Sequence, residues 1–454
     1  MSEQRTPFVL GKPIKTPEDF YGRERELREL FESVKNMQPA ALVGEHRCGN
    51  TSILYQMLHP DQQSRFLSED EREQLMFVFV NAQLAGDSPE SLFRRVALAL
   101  RRADESSTLD FGGTIDRAWI EDYLEDVATR GRRLVLLIDE FDVLAGYEGS
   151  FWEWFRGLLI EYDVSPVVAS RLELGRFRED WGSGSPFFNM FRTVYMGSFT
   201  PEEADHFVAE ISAISDFDFR RVRPVIDRLA GRFPFYMQVA MALLYVHVGD
   251  AALIDDDAVA AVEQEFRARN EHLFADAWPK LPDLEREALC QIAVGHGQDA
   301  RAASAVHKAM PTLERRGYVL DGQIFSTAFA DFVRRQMMRI ELNAETGEVR
   351  IEKRSVELPP KEFALLRFLM DSEGDVVTKD DIAAAVWPEY SGNSLGVTDA
   401  MIQKTISRLR KEVEVDETEE GGFQHIESIR GQGYRFQNAS VQDVYQQRET
   451  MATA

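Results

Sequence analysis

The sequence predicts a multidomain chain: a doubly wound α/β domain first, then helical units, with a winged helix at the C-terminal end. Three observations carry this reading. Apolar strand candidates alternate with amphipathic helices through about residue 200. The run "LVLLI" ahead of Asp139 is apolar without alternation, as a strand buried on both faces of a parallel sheet requires. From Thr200 the pattern turns helical, and the two later units each combine short helices with a hairpin.

Taken in order, residues 1–18 form a leader and residues 19–200 the α/β core. Within the core, "RERELRELFESVK" from Arg23 spaces its apolar residues as a helix does. "AALVG" is a short buried strand, a glycine-bounded loop follows, and "SILYQML" resumes helical patterning. "LMFVFVNAQ" is a second strand, and Ser88 opens the helix "SPESLFRRVALALRRA" as its N-cap. After a helix around "AWIEDYLEDVATR", the strand "RRLVLLIDEFD" ends in two acids, and "SPVVAS" ends at Ser170 and Arg171. Residues 201–275 read as a helical subdomain. Residues 276–338 read as short helices plus a hairpin, a small winged helix. A last unit spans 339–438, with a tail over 439–454.

At 454 residues the chain is too long for one core, and two to four domains are expected. The formal net charge of −25 argues against a protein that coats nucleic acid. It leaves room for a local basic surface, because charges are screened beyond a Debye length of roughly 8–10 Å. The most apolar stretch, "FPFYMQVAMALLYVHV", is shorter than a membrane span and is interrupted by Pro234, Gln238 and His247, so it reads as a buried helix. The opening residues lack a basic region followed by an apolar run, so no secretory signal is expected. Two cysteines, Cys48 and Cys290, give no disulfide framework and suit a reducing cytoplasm. No repeat of fixed period is present.

The loop "GEHRCGNTS" carries the first functional signal. Gly44, Gly49 and Thr51 stand in the register of a phosphate-binding loop, but Asn50 occupies the position of its lysine. Such a loop works through backbone N–H groups at a helix N-terminus. The backbone of Glu45, His46, Arg47, Cys48, Gly49, Asn50 and Thr51 is therefore expected to cradle phosphates. The Thr51 hydroxyl would bind Mg²⁺, and Ser52 would reach a further phosphate oxygen. Asn50 brings no positive charge to the β- and γ-phosphates; Arg47 and His46 are the neighbours that could. Asp139 is placed to hold Mg²⁺, Glu140 to act as the catalytic base toward water, and Arg171 to sense a γ-phosphate. Cys48 sits at a helix N-terminus, a setting that lowers a thiol pKa.

With these motifs in place, the chain resembles the AAA+-related STAND ATPases, in particular archaeal and bacterial members with a helical lid and a winged helix. "FYGRERELREL" matches the family's N-terminal motif and implies Tyr21, Gly22 and Arg23 near the adenine. "LLIDEFD" matches its acidic motif. "LAGRFPFYMQ" looks like its lid motif, which implies Pro234 against the base. The resemblance covers about 19–338. It implies ATP or ADP with Mg²⁺ as cofactors and nucleotide-dependent self-association. Two departures stand out: Arg232 replaces a second glycine, and Asn50 replaces the lysine, so hydrolysis is expected to be slow or absent.

In the last unit, "VTDAMIQKTISRLRKEV" places Ile402, Ile406, Leu409 and Val413 on one helical stripe, with Lys404, Arg408 and Lys411 on the opposite side. "HIESIRGQGYRFQ" adds two short strands with Arg430 at the tip. A basic helix beside such a hairpin can dock in a major groove with the wing on the backbone. Residues 339–438 closely resemble the OmpR/PhoB-type DNA-binding domain, through "LPPKEFALLRFLM", "AVWP", "ISRLRKEV" and "IESIRGQGYRF". The resemblance implies Lys404, Ser407 and Arg408 facing the groove, with Thr405, Arg410, Ser428 and Arg430 near phosphates or the minor groove.

Together these readings predict a cytoplasmic, ATP-controlled, sequence-specific regulator that binds double-stranded DNA. The alternatives are a STAND-type ATPase of phage-conflict or mobile-element systems tethered to DNA, and a nucleotide-locked scaffold that hydrolyses nothing.

Overall fold

The computed structural model describes residues 8–86, 88–104, 106–107, 109–175, 186–215, 217–248, 256–293, 300–338, 340–343, 346–351, 354–390, 397–413, 425–429 and 432–436. The chain divides into two compact units, Met1–Glu285 with His307–Thr327, and Arg286–Val306 with Ala328–Ala454.

The first unit is built on a five-stranded parallel sheet. Its strands are β1 (Ala40–Gly44), β2 (Leu75–Asn81), β3 (Arg133–Asp139), β4 (Val164–Ser170) and β5 (Arg192–Met196), in the order β2-β3-β4-β1-β5. The helices of the α/β part are α1 (Glu24–Lys35), α2 (Asn50–Leu58), α3 (Pro60–Phe66), α4 (Glu69–Gln74), α5 (Pro89–Ala103), α6 (Arg117–Thr129) and α7 (Gly149–Glu161). Every residue of β1 and β4 is buried; β1 is accordingly apolar throughout, while β4 encloses Ser165 and Ser170 among its apolar residues. The period-2 alternation assigns the two faces. Ala40 and Leu42 pack with α1 and α2 through Leu30, Phe31, Ile53 and Leu54. Ala41 and Val43 belong to the opposite layer, with Phe93, Trp119 and Trp152 of α5, α6 and α7.

The Ser88 hydroxyl accepts from the Ser91 N–H, capping α5 as expected. The sequence reading did not find β5, an edge strand with a half-exposed pattern, nor α3 and α4, which are short and polar. For α4 a signal was there: Ser68 and Glu71 form a reciprocal capping box.

The helices continue with α8 (Pro201–Ser215), α9 (Arg223–Ala230), α10 (Pro234–Val248), α11 (Asp256–Ala277), α12 (Asp283–Ala293), α13 (Ala300–Arg315) and, after the hairpin β6 (Val319–Leu320) and β7 (Gln323–Ile324), α14 (Thr327–Met338). α10 is the apolar stretch read as a buried helix; Met237, Ala240, Met241 and Leu244 are fully enclosed. No helix among the described residues is long and apolar enough to cross a membrane.

The second unit contains an antiparallel sheet of β8 (Ile340–Leu342), β9 (Val349–Ile351) and β10 (Arg354–Val356). It continues through α15 (Pro360–Asp371), β11 (Val376–Val377), α16 (Lys379–Val386), α17 (Asp399–Val413) and the hairpin β12 (Ile426–Ile429) and β13 (Gly433–Phe436). Thr378 and Asp381 form a capping box at the start of α16. β13 lies between β11 and β12, and its start must be glycine. Gly433 has φ 150, and a Cβ there would meet the Val377 carbonyl oxygen at 1.9 Å.

Candidate nucleotide site and nucleic-acid interface

The strand order places β4 between β1 and β3, so three chain segments leave the sheet at one edge. These are the loop after Gly44, the Ser170–Arg171 turn and the Asp139–Glu140 pair. That edge, where parallel strands end, is where open α/β sheets bind ligands.

Close packing fixes the loop. A Cβ on Gly44 would lie 2.4 Å from the Cys48 Sγ, 2.5 Å from the Met196 Cβ and 2.8 Å from the Asn50 Oδ1, so no larger residue fits. Asn50 binds the loop from within: its Nδ2 donates to the Gly44 carbonyl at 3.0 Å and to the Ser170 carbonyl at 3.5 Å. The Cys48 thiol donates to the Asn50 Oδ1 at 3.2 Å. Arg47 is held in the left-handed region at φ 67, a conformation that costs a non-glycine residue energy. Thr51 Oγ1 donates to Asp139 Oδ2 at 2.9 Å, joining the loop to the acidic strand end. Asp139 is 3% exposed, and burial raises its pKa while the Thr51 hydrogen bond opposes the rise.

Glu140 follows in the left-handed region at φ 53. The Arg171 guanidinium lies 3.9 Å from Glu140 and 3.8 Å from Asp142. Asp142 accepts from the Ser170 hydroxyl at 2.8 Å and from the Arg171 and Leu172 N–H groups at 2.9 and 3.1 Å. It therefore fixes the turn that carries Arg171, a role the sequence reading missed.

A cavity of about 330 Å³ lies at this edge, within the size range of small-molecule sites. The expected loop residues from Glu45 to Ser52 line it, with Tyr21, Arg23, Asp139, Glu140, Arg171 and Pro234; Gly22 and Gly44 do not. The expectation for Arg23 changes in kind. Its guanidinium is buried and donates to the Gly197 carbonyl at 2.7 Å and the Cys48 carbonyl at 3.4 Å, so it braces the loop. Glu45 is ion-paired with Arg316, whose other guanidinium nitrogen lies 2.5 Å from Glu285. Desolvation, followed by the cations Arg47 and Arg171, lowers the His46 pKa and disfavours its charged form.

Cys48 departs from its expectation. Helix position suggested a lowered thiol pKa, but complete burial pushes it up to about 12. Thiol labelling of the native chain at pH 8, located by mass spectrometry, should leave Cys48 far slower than in denatured chain, with or without ATP. Labelling at the denatured rate would contradict this packing.

The leader was read only as a leader, yet residues 9–14 line the cavity, as do Phe235 and Gln238 at the start of α10. The Val9 N–H donates to Gln238 Oε1 at 2.8 Å, and Arg47 Nη1 donates to the Leu10 carbonyl at 2.8 Å. The Ile14 N–H donates to the Ser52 hydroxyl at 3.0 Å, and Gln56 Nε2 to the Ile14 carbonyl at 3.3 Å. The apolar Phe8-Val9-Leu10 and the Gly11 and Pro13 beside it were the available signal.

In the second unit α17 separates its faces as read. Ile402, Ile406, Leu409 and Val413 are buried, while Lys404, Ser407, Arg408 and Lys411 are exposed. Arg408 Nη1 lies 3.6 Å from Glu362 Oε1, a carboxylate that is 5% exposed. Thr405 is not on that face: it is buried, and its hydroxyl donates to the Met401 carbonyl at 3.0 Å. Arg410 donates to the Ile426 carbonyl and, at 3.0 Å, to the Ser428 hydroxyl, so this pair ties α17 to the hairpin. Arg430 lies outside the described residues.

The fold and the sheet-edge loop define a P-loop type NTPase core joined to a winged-helix domain. The family model described as Novel STAND NTPase 2 matches residues 37–298, more than half of the chain, and the chain belongs to that family. The model described as Transcriptional regulatory protein, C terminal, matches residues 353–436. Over 100 residues the chain is 33% identical to the transcriptional regulator HilA of Salmonella typhimurium, covering 22% of this chain and 16% of HilA. Over 99 residues it is 33% identical to the phosphate regulon transcriptional regulatory protein PhoB of Rhizobium meliloti, covering 22% of this chain and 40% of PhoB. The chain thus spans less than half the length of either relative. Among solved structures, a Walker-type ATPase of Pyrococcus abyssi shares the fold, with a TM-score of 0.53 and 16% identity over 72% of this chain and 99% of that one.

Proposed function

We propose that the chain is an ATP-controlled, sequence-specific DNA-binding regulator whose nucleotide state sets self-association and DNA binding. The observation that carries this is a union on one chain: a phosphate-loop cavity closed by the Thr51–Asp139 contact, and a helix whose exposed side is Lys404, Ser407, Arg408 and Lys411. Nucleotide phosphates would be held by the backbone from Glu45 to Thr51. The Thr51 hydroxyl and Asp139 carboxylate suit Mg²⁺, which takes few protein oxygens and completes its shell with phosphate and water. Bound there, the ion would supply neutralisation of phosphate charge.

Glu140 is the candidate base. Hydrolysis is slow, because Asn50 carries no charge and its amide is engaged with the Gly44 and Ser170 carbonyls. A single DNA-binding domain with few phosphate contacts binds weakly, and linking copies by nucleotide-driven assembly raises effective concentration. Selecting duplexes from a random pool with the full chain, with and without ATP, tests the reading. Recovery of a common sequence that depends on ATP supports it. A pool left unenriched under both conditions would refute it.

A further inference from the structure

Asn50 leaves the phosphate loop without a lysine at the position where such loops carry one. Five residues that can carry positive charge line the cavity: Lys12, Arg23, His46, Arg47 and Arg171. Four of them are committed elsewhere. The Arg23 guanidinium is buried against the Gly197 and Cys48 carbonyls. Desolvation lowers the His46 pKa, which disfavours its cationic form. Arg47 donates to the Leu10 carbonyl and stacks 4.7 Å over the Phe235 ring. Arg171 faces the carboxylates of Glu140 and Asp142.

Lys12 is exposed and, among the described residues, makes neither a hydrogen bond nor an ion pair through its side chain. Its position is fixed from both sides. Leu10 is bound to Arg47 of the loop, and Ile14 is bound to Ser52 and Gln56 of α2. Residues 11–13 therefore bridge two anchors on the phosphate loop and its helix, with Lys12 at the middle of the bridge.

The geometry points to Lys12 as the residue that supplies the missing positive charge to the nucleotide phosphates, delivered by the leader segment rather than by the loop. A flexible four-carbon stem ending in a compact ammonium suits a point contact to phosphate. The inference rests on the nucleotide reading above and adds to it the source of the charge.

The test is calorimetric titration of the full chain with ATP, ADP and adenosine. Lys12→Ala should weaken ATP about tenfold or more, as loss of a charge-assisted hydrogen bond does, and leave adenosine unchanged. Lys12→Arg should retain most of the ATP affinity. ATP affinity unchanged in Lys12→Ala would overturn the inference, as would an equal loss for all three ligands, which would make the bridge a structural strap only. If the unsubstituted chain bound none of the three, the nucleotide reading itself would fall, and that result is distinct from either.

Discussion

Gly44→Ala should abolish measurable nucleotide binding while leaving the helical content of the chain in place. The added methyl group would sit 2.4 Å from the Cys48 Sγ, 2.5 Å from the Met196 Cβ and 2.8 Å from the Asn50 Oδ1. None of these can yield cheaply. Cys48 is buried, Met196 is 1% exposed on β5, and Asn50 is held by the Gly44 and Ser170 carbonyls. Overpacking of this kind costs about 1–3 kcal/mol and is relieved by backbone shift. Here the backbone that shifts is the phosphate cradle, and misplacing such a site by about an ångström can cost on the order of a hundredfold. Titration of the full chain with ATP, with circular dichroism as the fold control, measures this. Parent-like affinity in Gly44→Ala would show that the loop is not the phosphate site. Thr51→Ala adds no bulk and removes the hydroxyl that meets Asp139 together with one methyl group, so it should weaken Mg²⁺-dependent binding and spare the fold.

The second large effect belongs to Arg408. Its guanidinium can bond a guanine edge in two places, worth ~1–3 kcal/mol of discrimination between bases. Arg408→Ala should therefore flatten the difference between selected and random duplexes by roughly five- to a hundredfold. Because the substitution also removes the cation beside buried Glu362, Arg408→Lys is the matched variant: it keeps the charge but not the fork. It should lose discrimination while largely keeping affinity for random DNA. Lys411→Ala should instead weaken both duplexes alike and lower the salt slope by about one. Identical profiles for Arg408 and Lys411 variants, measured by fluorescence anisotropy over a salt series, would make the basic side of α17 something other than a base-reading surface.

Much of this was legible in the sequence because burial leaves a period. β1 and β3 are buried on both faces and so read as apolar runs. α17 shows its stripe because one side must pack and the other must not. β5 was invisible because an edge strand keeps polar residues. In the site, Gly44 and Thr51 stood out through the fixed spacing of a phosphate-loop motif, and Asp139 as the acidic end of an apolar strand. Side-chain direction has no such signature. Nothing in the sequence distinguishes Arg23, turned inward to brace carbonyls, from an arginine facing a ligand. Thr405 lies beside exposed Lys404 in the chain, yet one step around the helix buries it. Nor does helix position alone set the Cys48 pKa, because burial outweighs it. The leader was missed for a related reason: its bonds to Arg47, Ser52 and Gln238 span 37, 38 and 229 residues, and long-range pairing is not written in local pattern.

The central claim is that nucleotide and DNA act on one equilibrium. It is tested most directly by measuring the affinity of the full chain for its selected duplex with no nucleotide, with ADP and with ATP, each with Mg²⁺. Coupling between two sites runs to about 1–3 kcal/mol, so the account predicts that duplex affinity differs between the ATP and ADP states by roughly fivefold or more. Linkage then requires the duplex to change the ratio of ATP to ADP affinity by the same factor. Equal duplex affinity in all three states, in a chain shown to have ATP bound, would contradict the account.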